Sequence, residues 1–384
     1  MRKPLITVTL SLIFFQVSAQ NDWKYLFNHR YMSLCYYSQI YRQNYVSKSK
    51  LGDSYQFMEL SAVIDALSTM YFATGTPEYL NDEIVLINNV IATAEVSKLI
   101  AGNVYTKKDD YLGWISKTGD ESYYDEVSLY EGYFFRYVMQ TLFDLKRTGW
   151  INKSTENYNW YNNTLQFVEK NIWEKWIDRS MRVYFVPYKR FMSSRTHTAS
   201  HWAYIALMME KITSDAEIKT QAKEVYTMFD ILLKRNLQPN PDHPEAYVWN
   251  STWDDVSGTD AIASGQPVIQ DVSHGNHVLS YITAAKGMGN TNWSDAEILS
   301  FCNTIIKVIY NKETNSFAGN VDGTIIPATP EKGTYQCDGW LKLSEFNENV
   351  RDIYINFAML KPSYIRSYDM ELQYYANLLY YERK

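Results

Sequence analysis

Four of the six histidines in this 384-residue chain fall in two short segments, Arg195–Trp202 and Gln270–Ile282. The second segment carries His274 and His277 about one helical turn apart, with Asp271 just before them. Imidazole exchanges protons near neutral pH, and a neighbouring carboxylate can orient it. The two segments are therefore candidates for a site of proton transfer.

Both segments have the pattern of a helix start. In the second, Ser273 can cap the helix, and apolar residues follow at helical spacing from Val278 onward. Backbone N–H groups at a helix start favour bound anions and keep a nearby imidazole neutral, so that it can act as a base. The alternative is that Asp271 and Ser273 only cap the helix while the histidines bond to neighbouring loops. The same pattern at His197 and His201 favours a functional site.

A metal site is another alternative, because His274, His277 and Asp271 are ligand types that bind zinc. The three cysteines lack zinc-ligand spacing, however, and the acidic residues show no calcium-loop spacing. We therefore predict chemistry that uses neither a metal nor another cofactor.

The composition predicts a folded, exported protein. Hydrophobic residues make up 46% of the chain and charged residues 21%, which suits a large core. Residues 1–19 have the basic, apolar and small-residue parts of a secretory signal peptide, so we expect a single domain over residues 20–384, secreted or periplasmic. The net charge of −6 argues against a nucleic-acid partner. No later apolar stretch is long enough to span a membrane.

The aromatic content is high, with 33 Tyr and 11 Trp bringing aromatic residues to 16%. These rings have an apolar face and a polar edge, which suits stacking on sugars, although many also fill helix interfaces. The long loop Gln238–Gln270 contains Trp253, and loops of this length in compact proteins are usually functional. We predict that Trp253 is a stacking platform for carbohydrate.

Polar clusters recur at predicted helix starts near residues 54, 126, 198, 274 and 350. A more ordinary amphipathic helix follows each of them. Helix pairs at near-constant spacing indicate an α/α array, and closing the array into a ring places one set of helices inside. We expect an all-α fold, an (α/α) toroid of about five to six helical hairpins, complete or incomplete, with small β-hairpin insertions. The polar clusters would then line one cleft.

With such a ring, a signal peptide and paired histidines on inner helices, the chain resembles the α/α-toroid polysaccharide lyases, which include alginate, glucuronan and chondroitin lyases. In the alginate-lyase branch, an Asn-His pair begins an inner helix and a Trp follows closely. The nearest match here is His201 with Trp202, and Ser200 stands in place of the Asn. The family also uses an Arg and a Tyr near each other on a later inner helix, which Arg351 and Tyr354 match.

The resemblance implies a secreted lyase that cleaves a uronic-acid-containing polysaccharide by β-elimination. Its partner would be an anionic polysaccharide. Removing the proton α to the carboxylate requires that the carboxylate charge be neutralised, which we assign to His201 and Arg195. The base would be His274 or Tyr354, with Tyr281 as a rival for the tyrosine. The predicted site residues are, for catalysis, His197, His201, His274, Arg351 and Tyr354 and, for substrate binding, Glu131, Arg195, Trp253, His277 and Tyr281.

Two other functions are compatible with the sequence. A glycoside hydrolase on a similar ring would pair Asp271 with Asp254, Asp255, Glu126 or Glu131 as acid and base. A noncatalytic glycan-binding protein would bind sugar in an aromatic cleft and use the histidines only for hydrogen bonds.

Overall fold

A computed structural model describes residues 22–34, 40–101, 107–118, 125–253, 268–325, 333–360 and 368–382. Within these ranges the chain is mostly helical, which confirms the prediction of an all-α fold, and none of the helices is long and apolar enough to cross a membrane. The helices are α1 (Asp22–Tyr31), α2 (Tyr41–Ser49), α3 (Phe57–Thr74), α4 (Pro77–Ala92), α5 (Ser128–Arg147), α6 (Thr155–Val168), α7 (Lys175–Tyr184), α8 (Thr196–Ile212), α9 (Ala216–Asn236), α10 (Val272–Gly287), α11 (Asp295–Asn303), α12 (Gly339–Lys342), α13 (Glu348–Leu360) and α14 (Tyr368–Glu382).

Short antiparallel hairpins interrupt the helices, as predicted. Each strand is two residues long. The pairs are β1 (Glu95–Val96) with β2 (Leu112–Gly113), β3 (Gln238–Pro239) with β4 (Tyr247–Val248), and β5 (Tyr310–Asn311) with β6 (Ser316–Phe317). Two π-helical segments also occur, Glu169–Glu174 between α6 and α7 and Thr304–Ile309 after α11.

Six of the described helices contact one another in sequence order. α3 contacts α5, α5 contacts α8, α8 contacts α10, and α10 contacts α12. α12 contacts α14, and α14 packs back on α3. Other helices lie against single members of this series, with α1 on α14, α4 on α3 and α9 on α8. The first turns of α5, α8 and α10 therefore belong to adjacent elements.

Four of the predicted helix starts agree with the structure. α3 follows a 3-10 turn that begins at Ser54, while α5, α8 and α10 begin at Ser128, Thr196 and Val272. The fifth predicted start, near residue 350, matches the start of α13 at Glu348. The element that contacts both α10 and α14 is the four-residue α12.

Gly339, the first residue of α12, explains how so short a helix fits against α10. A Cβ at this position would lie 2.2 Å from the backbone oxygen of Asn276 and 2.2 Å from the backbone nitrogen of Ser280. Both atoms belong to the backbone of α10, which cannot turn aside as a flexible side chain can. Only glycine allows this approach.

Gly339→Ala should lower the free energy of unfolding by about 3 kcal/mol or more, because the added methyl group overpacks against backbone. Thermal and urea unfolding followed by circular dichroism would measure the loss. Gly287→Ala at the end of α10 is the matched control, since a Cβ there meets nothing within 4 Å. The control should be neutral or slightly stabilising because Ala favours a helix. Equal stability of the two variants would contradict the close packing of α12.

Most of the tryptophans lie in the core. The fully buried ones are Trp114, Trp173, Trp176, Trp202, Trp249, Trp293 and Trp340. Large aromatic side chains contribute much of the buried apolar area of a core. The high aromatic content is thus mainly a packing feature, and by itself it does not indicate sugar binding.

Candidate functional site

Four histidines from two adjacent helices meet in one place, although 80 positions separate the first from the last. α8 presents His197 and His201 one turn apart, and α10 presents His274 and His277. The ring centroids of His197 and His274 are 4.2 Å apart, and those of His201 and His277 are 4.8 Å apart. We call these four residues, together with Tyr133, the histidine cluster.

Tyr133 of α5 completes the cluster from a third helix. Its ring centroid is 4.1 Å from that of His201 and 4.8 Å from that of His277. Its hydroxyl oxygen lies 2.8 Å from Nε2 of His277. Sequence spacing does not single out Tyr133, because it stands among the aromatic residues of an amphipathic helix. The available signal was its place one turn into a helix whose start was predicted to face the cleft.

Asp271 orients His274 at the outer edge of the cluster. Its Oδ1 accepts a hydrogen bond from the backbone N–H of His274 at 2.9 Å, which caps α10. Its Oδ2 lies 2.7 Å from Nδ1 of His274. An ionised carboxylate only accepts, so the Nδ1 of His274 carries a proton. In the neutral ring Nε2 is then a proton acceptor, on a side chain that is 43% exposed.

Charged and polar groups lie beneath the cluster. Arg136 of α5 approaches Nδ1 of His277 at 3.2 Å and Asp338 at 3.1 Å. Lys342 bridges Asp338 at 2.6 Å and Asp65 at 3.0 Å. We call Arg136, Asp338, Lys342 and Asp65 the polar floor. Each charge in it has an opposite charge beside it, which burial requires.

The buried imidazoles are neutral. Burial lowers the pKa values of His197, His201 and His277 well below the ordinary range. The positive charge of Arg136 lowers those of His201 and His277 further, and His274 does the same to His197. The cluster therefore offers neutral rings that can accept or relay a proton.

Tyr133 and Asp271, the two oxygen acids of the site, are in opposite protonation states. Burial raises the pKa of the Tyr133 hydroxyl, so it is protonated at rest. Burial also acts to raise the pKa of Asp271, but the hydrogen bonds from the side chain and backbone of His274 outweigh it and hold this pKa below its usual range. The arrangement thus contains a proton donor, Tyr133, and an acceptor, Nε2 of His274.

His201 is wholly buried, and neither of its ring nitrogens has a hydrogen-bond partner within the described part of the chain. Nδ1 of His197 is in the same state. A buried polar atom without a partner costs about 1 to 3 kcal/mol, so purely structural side chains rarely carry one. This cost supports a functional interpretation of the cluster.

Arg195 lies at the rim of the cluster, exposed and just before α8, and its charge contributes to lowering the pKa of His197.

Trp253 is in a different environment. It is 6% exposed, its indole N–H donates to the backbone oxygen of Ser193 at 3.0 Å, and it packs on Phe229. The prediction that Trp253 is an open stacking platform is therefore corrected.

Three further predicted residues lie in other environments. Tyr281 is buried and its hydroxyl donates to Asp230 of α9 at 2.7 Å. Tyr354 is buried, stacks on Phe317 and donates to Gln336 at 2.9 Å. Arg351, also on α13, has a carboxylate oxygen of Asp352 3.8 Å from its Nε. Both tyrosine hydroxyls are occupied inside the protein, which corrects the roles predicted for them.

The predicted role of Glu131 in substrate binding is also corrected. Glu131 is fully buried, and its two oxygens accept from Lys175 and from the indole of Trp176, both at 2.7 Å. Glu126 is buried beside it and pairs with Arg179 at 2.8 Å. These carboxylates anchor the start of α5 to α7, so neither is placed to act as a hydrolase acid. Residues 254 and 255, the other carboxylates considered, lie outside the described residues.

The described residues include no group of three or more His, Cys, Asp or Glu side chains arranged to hold a metal ion. In the proposed zinc set, Nδ1 of His274 is occupied by Asp271, and both ring nitrogens of His277 are occupied by Tyr133 and Arg136. In the described part of the chain, His274 and His277 are thus hydrogen-bonded to protein groups at these nitrogens.

Comparison of the chain with protein families, with curated proteins and with solved structures finds no significant match.

Proposed function

We propose that this protein is a secreted polysaccharide lyase that cleaves a uronic-acid-containing polysaccharide by β-elimination. The observation that carries the proposal is the placement of an oriented acceptor, His274, and a protonated hydroxyl, Tyr133, in one histidine cluster. Elimination needs both a base and an acid at one site.

The proposed chemistry begins with the substrate carboxylate. Arg195 and the positive ends of α8 and α10 would stabilise its charge and the further charge that develops as the α proton leaves. Nε2 of His274 takes that proton. The bond between C4 and the glycosidic oxygen then breaks, Tyr133 protonates the leaving oxygen, and a C4–C5 double bond remains. Proton exchange with water resets both side chains.

The fold proposed for this enzyme is an (α/α) toroid. The order of contacts, which runs through α5, α8, α10 and α12 and returns from α14 to α3, supports a ring of helices. In such a ring the starts of α5, α8 and α10 share one end, which suits a cleft for a polymer.

Incubation with a panel of uronate polymers should produce new ultraviolet absorbance as the chains shorten. Elimination conjugates the new double bond to the carboxylate, whereas hydrolysis leaves saturated ends. A neutral polysaccharide serves as the substrate control, and His274→Ala as the enzyme control. New reducing ends without absorbance would indicate a hydrolase, and binding without any cleavage would indicate a glycan-binding protein.

A further inference from the structure

We propose that Arg136 and Asp338 are positioning residues that fix the tautomer of His277 and thereby direct the proton of Tyr133 toward the substrate. The first part concerns the folded protein alone. The second part rests on the proposed lyase function.

The tautomer follows from the contacts of Arg136. A guanidinium group has donors and no acceptor, and Nη2 of Arg136 lies 3.2 Å from Nδ1 of His277. The same Nη2 also lies 2.5 Å from the Tyr137 hydroxyl oxygen, so its two protons are shared among three acceptors. A proton on Nδ1 would point at this donor group, so Nδ1 is the accepting nitrogen. A neutral imidazole carries one proton, so in His277 it is on Nε2, which lies 2.8 Å from the Tyr133 hydroxyl oxygen.

This tautomer determines what Tyr133 can do. Because His277 donates to the Tyr133 oxygen, the hydroxyl proton of Tyr133 is not used in that bond and can be donated to another acceptor. With the opposite tautomer, Tyr133 would donate to Nε2 of His277 and its proton would point into the protein. Arg136 thus selects the state in which Tyr133 can serve as an acid for a leaving oxygen.

Asp338 holds Arg136 in place from the other side. Nη2 of Arg136 lies 3.1 Å from Oδ2 of Asp338, and both side chains are fully buried. The hydroxyl of Tyr137 lies 2.5 Å from the same carboxylate oxygen, and Lys342 pairs with Oδ1 at 2.6 Å. Since Arg136 has no exposed surface, it acts on the reaction through His277 and not by touching the polysaccharide.

Nitrogen-15 labelling of histidine in the full chain tests the first part directly. Long-range proton–nitrogen correlation spectra distinguish the two neutral tautomers, and His277→Gln assigns the signal. We expect the Nε2–H form of His277 in the wild-type protein. An Nδ1–H form there would overturn the proposal without any other variant.

Arg136→Met should convert His277 wholly or partly to the Nδ1–H form, and Arg136→Lys should retain more of the Nε2–H form because Lys can still donate. Arg147→Met is the matched control, since Arg147 is an exposed arginine on the same helix, paired with Asp144. Asp338→Asn keeps the size of the side chain and should shift the tautomer in the same direction if Arg136→Met does not fold. An unchanged tautomer in a folded Arg136→Met or Asp338→Asn variant would overturn the proposal.

On a polymer that the wild-type protein cleaves, Arg136→Met should lower kcat by about 10²-fold, the range of a lost general acid, with KM nearly unchanged. Arg147→Met should leave both constants as in the wild type. A rise in KM with unchanged kcat would overturn the positioning role. If the wild-type protein cleaves no uronate polymer, the proposed function fails, while the tautomer experiment still decides the role of Arg136.

Discussion

Tyr133→Phe is expected to lower kcat on a uronate polymer by about 10² to 10⁴, because it removes the proton donor for the leaving oxygen and changes no other atom. Its effect on stability should be small. The variant loses one hydrogen bond to His277, which contributes about 1 kcal/mol. Turnover and thermal melts of the same preparations measure the two effects.

The companion variant is His274→Ala, which removes the proposed base. If both side chains serve one transition state, kcat of the double variant should fall by a factor far smaller than the product of the two single-variant factors. Tyr281→Phe is the matched control, because it removes a buried hydroxyl bound to Asp230 on the far side of α10. The control should lose stability and keep its turnover. Full activity of Tyr133→Phe would remove the acid from the proposed mechanism.

The second large effect is a loss of stability in mild acid. Burial holds the pKa values of His197, His201 and His277 well below their unfolded value of about 6.5, so below this pH the unfolded chain binds protons that the folded chain does not. The contribution of these residues to the free energy of unfolding is fully present above about pH 6.5. It is lost as the pH falls toward their pKa values in the folded protein. Each residue should destabilise the fold by up to about 1.4 kcal/mol per pH unit in that window.

Some buried carboxyl groups have the opposite effect on the pH dependence of stability. Burial raises the pKa values of Glu83 and Glu131, and protonation of such groups favours the folded state as the pH falls. The test therefore compares the pH dependence of stability in the wild-type protein with that in a variant that lacks one of these histidines. Urea unfolding between pH 7.5 and 5 should show a slope of stability against pH that His277→Gln reduces by about 1.4 kcal/mol per pH unit.

His243→Gln provides the control for this experiment, since His243 is on the surface beside Glu245. It should leave the slope unchanged. If His277→Gln has the same slope as the wild-type protein, His277 is not held neutral by the fold, and Arg136 does not fix a neutral tautomer.

The part of the site that could be predicted from sequence is the part encoded by helix periodicity. Apolar spacing located the starts of α8 and α10, and i, i+3 or i, i+4 spacing placed His197 with His201 and His274 with His277 on common faces. Their meeting also required that α8 and α10 be neighbours, which the predicted α/α array implies, and these two helices are in contact.

The remaining residues depended on information that local spacing does not contain. Tyr133 and Tyr281 both stand one to three turns into amphipathic helices, and only the packing of neighbouring helices decides that the first faces the cluster and the second faces α9. Glu131 is neutralised by Lys175, 44 positions away. α12 is too short to show a helical period, and its position depends on Gly339.

The two carboxylate oxygens of Asp271 connect the folding of α10 with the reactivity of His274. Ser or Thr could cap the helix but would leave the imidazole without its negative partner, and Glu would place the carboxylate one methylene too far out. Asn could cap the helix, yet its amide could donate to Nδ1 and so favour the wrong tautomer. We therefore expect this position to admit only aspartate in any descendant that keeps the activity. Substitution by Ser, Thr or Asn should therefore remove the activity while the first turn of α10 stays capped.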